Sequence, residues 1–161
     1  MAKRDYRTEE LIVHWDSSRC IHTGICLRSL HEVFNLRATP WVNVQAATTE
    51  QIVATVEKCP SGALSYTRPD GPGEAPPETT TVVPSPNGPL FVRGRVEVRD
   101  AEGELIAAGY RMTLCRCGHS QNQPFCDLSH RDIGFTDNPL VIADHRREAA
   151  DPSEVSGKGS S

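Results

Sequence analysis

Apolar and polar positions follow two rhythms along this chain, and the rhythm changes near its middle. Leu11-Ile12-Val13-His14-Trp15 is a short β-prone run closed by Asp16-Ser17-Ser18-Arg19, which predicts a strand and a turn. From Gly24 to Phe34, residues Ile25, Leu27, Leu30, Val33 and Phe34 recur at helical spacing and predict a short helix. Trp41-Val42-Asn43-Val44 predicts a second strand. Thr48, with Gln51 three residues later, has the form of a capping box opening a helix that carries Ile52, Val53 and Val56. That helix should end near Lys58-Cys59, because Pro60 disfavours helical geometry in the residue before it. Ala63-Leu64-Ser65-Tyr66 reads as a last short strand.

Between Thr67 and Glu78 the pattern lapses into Pro69, Gly71, Pro72, Gly73, Pro76 and Pro77, the composition of a semi-extended linker. Beyond it the period becomes two. Thr79 to Val83 is β-prone, and Pro86-Asn87-Gly88-Pro89 is a turn signal. In the run from Leu90 to Arg99, Val96 and Val98 alternate with Arg95, Glu97 and Arg99. In the run from Leu105 to Leu114, Tyr110, Met112 and Leu114 alternate with Arg111 and Thr113. This predicts two antiparallel strands with one buried face, joined by Asp100-Ala101-Glu102-Gly103. From Asp144 the chain is polar and is expected to be disordered. The organisation read from the pattern is α+β: a first domain over 6–67, a linker over 68–78, an antiparallel-β domain over 79–143 and a tail over 144–161.

Composition changes this picture in one respect. With 37% hydrophobic residues among 161, each of two small domains is short of buried area. Small domains commonly make up that shortfall with disulfides or metals. The six cysteines fall as three and three on either side of the linker, an odd number per domain. Met1-Ala2-Lys3-Arg4-Asp5 opens onto no apolar signal region, and no apolar run is long enough to cross a bilayer. The expected compartment is the reducing cytoplasm, where clustered cysteines read as metal-binding. The net charge of −4 argues against nucleic acid as the main partner.

The second half carries the denser constellation. Cys115, Cys117, Cys126 and His130 lie in sixteen residues at the end of a predicted strand and in a loop. Thiolate suits iron–sulfur clusters, zinc or Cu(I), and imidazole suits zinc, copper, iron or nickel. Structural zinc sites usually leave two to four residues between paired cysteines, whereas Arg116 alone separates Cys115 from Cys117. The short spacer favours a cluster and leaves zinc open. His119 reads as a loop residue and Asp127 as a turn or cap residue near the cluster.

This segment resembles the CDGSH iron–sulfur domain family. Cys115, Cys117, Ser120, Pro124, Cys126, Asp127, Ser129 and His130 fall into register with its motif, as do Gly134-Phe135 downstream and Gly88-Pro89-Leu90 with Arg93-Gly94 upstream. The resemblance implies a 2Fe-2S cluster, with Cys115 and Cys117 on the inner iron and Cys126 and His130 on the outer one. It also implies redox activity, acid lability through the histidine, and an opening to homodimers, which are common among one-motif members. Leu128 stands where that family has glycine, at a position where positive φ would be costly for leucine.

In the first half, five residues separate Cys20 from Cys26, and Cys59-Pro60 follows far downstream. A remote Cys-Pro is a ferredoxin habit. The stretch from about residue 6 to 67 resembles the divergent 4Fe-4S mono-cluster family through Trp15, Cys20, His22, Gly24, Cys26, Glu32-Val33-Phe34, Pro40-Trp41-Val42 and Cys59-Pro60-Ser61-Gly62-Ala63-Leu64. That resemblance implies a small ferredoxin-like N-terminal domain. Four-cysteine ferredoxins have a further cysteine where Thr23 stands, so Cys20, Cys26 and Cys59 would hold a 3Fe-4S cluster, or a 4Fe-4S cluster completed by His22, another side chain or water. Buried free thiols are the alternative. His14 and His31 read as ordinary structural or surface histidines.

The expected function is electron transfer between redox partner proteins. The alternatives are a redox sensor or cluster donor, and a zinc-stapled binding module. No catalytic nucleophile or phosphate loop is visible, so an enzyme acting alone is not expected.

Overall fold

The computed structural model describes residues 3–138. The predicted tail, and the last residues of the predicted second domain, lie outside them. Two three-stranded antiparallel sheets, one in each half of the chain, form the framework.

The first sheet has the order β1-β2-β3, with β1 at Lys3–Arg7, β2 at Ile12–Asp16 and β3 at Leu64–Thr67. β2 lies centrally because its alternate residue Val13 is fully buried and Leu11 just before it is nearly so. β1 has no apolar alternation to announce it and becomes a strand by pairing with β2, Tyr6 opposite Val13. A 3-10 turn at Ser17–Arg19 is capped by Asp16, which accepts from the Ser18 N–H.

Two predicted elements are shorter than their apolar pattern. Helix α1 spans Ile25–Ser29, not the stretch from 24 to 34. The chain leaves the helix at Leu30, and the N–H groups of Val33 and Phe34 fold back onto the Leu30 carbonyl. That turn keeps Val33 and Phe34 in the core, so helical spacing outlasts the helix. The predicted strand at Trp41–Val44 is reduced to one bridge, Phe34 to Val42, although Val42 and Val44 are buried as a strand would bury them.

Helix α2, Thr49–Val56, begins with the predicted capping box: Gln51 N–H donates to Thr48 Oγ1, and Thr48 N–H donates to Gln51 Oε1. Its face packs Ile52 and Val56 against Leu11, Val13, Phe34 and Leu64 to form the main apolar core. Trp41 meets the rings of Tyr6, Trp15 and Phe34 at edge-on or tilted angles.

The second sheet has the order β4-β5-β6, with β4 at Thr81–Pro84, β5 at Leu90–Arg99 and β6 at Leu105–Leu114. Val92 and Met112 face one another in register, and both are buried. A register shift between Arg93 and Val96 contains Gly94, whose φ of 143° and close approach to Thr80 exclude a side chain. The other buried positions of this unit are largely polar or sulfur-bearing: Arg111, Thr113, Ser120, Cys126 and His130.

The two units dock through β6. Arg111, 3% exposed, reaches across and uses all five of its N–H donors. It donates to the carbonyls of Val56 and Cys59 at 2.6 Å, to that of Leu64 at 3.0 Å, and bidentately to Glu74 at 2.6 and 2.7 Å. Arg19 donates to the Arg111 carbonyl and lies over the Phe125 ring. Thr113 Oγ1 donates to the Pro60 carbonyl, and Asn122 Nδ2 to that of Ser18. Gly62 makes the contact sterically feasible: a Cβ there would sit 2.3 Å from the Arg111 carbonyl oxygen.

Candidate metal centres

The C-terminal site is built where β6 ends. β6 ends at Leu114, and the chain then bends through residues 116–118, which brings the side chains of Cys115 and Cys117 together. Their sulfurs are 3.8 Å apart. Arg116 donates instead to the carbonyls of Ser85 and Gly88, pairs with Asp137 and lies over the Phe135 ring, which pins the 85–88 turn beside the site.

The following loop doubles back onto the strand it left. Cys115 N–H donates to the Pro124 carbonyl and Cys126 N–H to the Thr113 carbonyl, both at 2.9 Å. This return brings Cys126 back to the end of β6. Asp127 then accepts from Ser129 N–H, Ser129 Oγ and Gln121 N–H. The Ser129 hydrogen bonds chiefly hold its carboxyl down to about 2. The chain turns at Leu128 into the single-turn helix α3, Ser129–Asp132. His130 is thereby buried with Nδ1 3.5 Å from Cys126 Sγ. Its Nε2 faces Gly88, within 3.5 Å of where a Cβ would stand.

Leu128 keeps the left-handed geometry that glycine would take, at φ 76°. Its N–H is aimed at Cys126 Sγ, 3.3 Å away, and the N–H of His119 points at Cys117 Sγ at 3.5 Å. Burial works to raise the Cys115 thiol, but the N–H groups of Ser120 and Gly118 and the Cys117 thiol outweigh it, so its pKa lies below the ordinary thiol value. Cys126 is pushed up by burial, against the Leu128 N–H. Burial, then the Arg131 charge, holds His130 below the ordinary imidazole value.

The N-terminal site is an enclosed, mostly apolar cavity. Cys20, Cys26 and Cys59 line it with Trp15, Trp41 and His22. Cys20 leaves the 3-10 turn, Cys26 sits in α1, and Cys59 lies just beyond α2 and is buried. Burial raises the Cys20 and Cys26 thiols, and the charge of Cys59 acts on both in the same direction. His22 adopts φ 52°, which brings Nδ1 to 3.8 Å from Cys20 Sγ. Thr23, at the position of the absent fourth cysteine, also lines the cavity.

The structure thus brings the predicted residues into three groups: Cys115 with Cys117, Cys126 with His130, and the three N-terminal cysteines around one cavity. Among the described residues, no three Cys, His, Asp or Glu side chains converge closely enough to hold one ion. His14 lies elsewhere, bridging Asp5 and Thr67 across the first sheet. Two participants were not foreseen. Ser61 Oγ, buried, lies 3.6 Å from Cys59 Sγ, and the one available signal was its place in Cys59-Pro60-Ser61. Arg111 carries no local signal at all.

The donor chemistry fits an iron–sulfur group at each site. On one tetrahedral metal, two sulfurs at bonds of about 2.3 Å stand about 3.8 Å apart, and a sulfur and a nitrogen about 3.5 Å, which are the spacings of the two C-terminal pairs. Cys115, Cys117, Cys126 and His130 would hold the group at one site, and Cys20, Cys26 and Cys59 at the other. Such a group supplies one-electron redox chemistry when bound. The protein orients the donors and, at the C-terminal site, aims N–H groups at their sulfurs.

Two cysteine-lined sites on two small sheet units define a two-domain iron–sulfur protein. The family model of the divergent 4Fe-4S mono-cluster matches residues 6–69, and that of the iron-binding zinc finger CDGSH type matches residues 87–131. The uncharacterized protein YjdI of Escherichia coli K12 is 35% identical over 63 residues, covering 39% of this chain and 83% of the relative. The protein of the same name from E. coli O157:H7 matches to the same extent. The chain belongs to the divergent 4Fe-4S mono-cluster family and carries a CDGSH-type domain behind that unit.

Proposed function

We propose that this chain is an electron-transfer protein of the cytoplasm, exchanging single electrons with redox partner proteins and performing no catalysis of its own. A 2Fe-2S cluster occupies Cys115, Cys117, Cys126 and His130. A 3Fe-4S or 4Fe-4S cluster occupies Cys20, Cys26 and Cys59 in a ferredoxin-like N-terminal domain. The observation that carries this reading is the pairing of donors at the C-terminal site: two thiols 3.8 Å apart, and a thiol 3.5 Å from an imidazole nitrogen. Two pairs, each with the spacing of two donors on one metal, suit a dinuclear core better than a lone zinc ion, which would draw all four donors to one point. His130 Nδ1 is the donor that sets this site apart, since histidine ligation raises a cluster's potential relative to all-cysteine ligation.

The test is visible absorption and EPR of anaerobically purified protein, with iron, sulfide and zinc analysis. Two distinct iron–sulfur signals are expected. Replacing Cys59 with Ser should remove one of them and leave the other. Colourless protein holding stoichiometric zinc overturns the reading. Rapid passage of a cluster to an apo-ferredoxin would turn it from relay to donor.

A further inference from the structure

We propose that the CDGSH-type domain completes the N-terminal metal site, with Arg111 and Thr113 acting as positioning residues for Cys59. The proposal rests on the reading of Cys59 as a cluster ligand. Cys59 sits in a loop whose backbone bonds are local, running only between residues 53 and 62. Helix α2 has no basic residue in its last turn, so its terminal carbonyls lack a cation from their own helix. The loop then runs through Pro60, which has no N–H to donate, to Gly62 at φ 64°.

The Val56 and Cys59 carbonyls accept from the Cys59 and Gly62 N–H groups, and the other domain adds a charged donor to each. One Arg111 nitrogen reaches both the Val56 carbonyl, at the end of α2, and the Cys59 carbonyl itself. The second reaches Leu64, where β3 begins. Thr113 holds the Pro60 carbonyl between them. Glu74 fixes the guanidinium plane by bidentate pairing, so its direction is set before it meets the loop. The carbonyls on both sides of the Cys59–Pro60 bond are therefore held by β6, two and four residues before Cys115. A buried guanidinium beside the cysteine also favours a reduced, more negative site.

The experiment uses the full chain with Arg111→Gln, Arg111→Lys and Thr113→Val, and has two readouts. Amide hydrogen exchange follows residues 57–62, where Glu57, Lys58, Cys59 and Gly62 donate to backbone carbonyls. The second readout is the midpoint potential of the N-terminal signal. Arg111→Gln should speed exchange at these amides by roughly tenfold or more, since hydrogen bonds to a charged group are lost. It should also lower the N-terminal potential and leave the C-terminal signal in place. Arg111→Lys should restore exchange only in part, because one ammonium cannot serve three carbonyls and a carboxylate in a plane. Thr113→Val should speed the same amides less, and it decides the matter if Arg111→Gln does not fold. Wild-type exchange at 57–62 in Thr113→Val, or exchange in Arg111→Gln raised evenly along the chain at an unchanged potential, overturns the proposal. Exchange needs no bound metal, so it still discriminates if the iron–sulfur reading fails.

Discussion

The backbone N–H of Leu128 points at the sulfur of Cys126 from 3.3 Å, and Leu128 holds a left-handed φ of 76° to do so. A branched residue in that region costs roughly 1–2 kcal/mol. The turn is nonetheless required, because it starts α3 and delivers His130 to the face of Cys126. Leu128→Gly should therefore stabilise the protein by about 1 kcal/mol, part of the relief being offset by the freer unfolded chain. Equilibrium urea denaturation checks this. A loss of stability would mean that the leucine side chain contributes packing exceeding its backbone cost.

Glu74 lies in the proline-rich stretch yet is only 10% exposed at its side chain, against Arg111. Removing one member of a buried pair leaves the other charge uncompensated, at about 3–5 kcal/mol. Glu74→Ala should cost about 3 kcal/mol, the low end of that range, because three carbonyls still face the guanidinium. Denaturant titration followed by tryptophan fluorescence reads it through Trp15 and Trp41 in the first domain. A change below about 1 kcal/mol, the level of an exposed pair, would show the pair to be solvated.

His130→Cys replaces a protonatable imidazole donor with a thiolate. Under the proposed ligation the C-terminal signal should persist at a lower potential and survive acid that bleaches the wild type. Acid titration monitored by visible absorption distinguishes the two. Equal acid stability would remove His130 from the ligand set.

Tyr66 offers a pH test that needs no bound metal. Burial, then its hydrogen bond to Glu57 at 2.9 Å, raises its phenol from 10 to about 12. The protonated form is the one favoured by folding, so its contribution is fully present below pH 10. It is lost as pH rises through about 12. Tyr66→Phe should show less loss of stability across that window than the wild type. Ultraviolet titration should find one tyrosine fewer ionising at its upper end.

Much of the framework was legible in the chain. The capping box at Thr48 and Gln51, the alternation of β5 and the ligand-type residues at both sites are local features that survive folding, whereas the single buried face predicted for β6 does not, because Arg111, Met112 and Thr113 are all buried where the two units meet. The other misreadings share one cause. The apolar spacing through Val33 and Phe34 records burial, and a turn can bury residues as well as a helix does. Likewise Val42 and Val44 are buried without a full strand. β1 lacked a signal because its pairing is supplied by β2.

The sequence by itself determined which atoms are available as metal donors, and it placed Cys115 and Cys117 one residue apart just past the end of a strand. Tertiary structure decided how the two units meet. Arg111 binds main-chain carbonyls, which every residue possesses, so no residue type at Val56, Cys59 or Leu64 could announce the contact. Glu74 found its partner 37 positions away, a separation at which sequence pattern carries no direction.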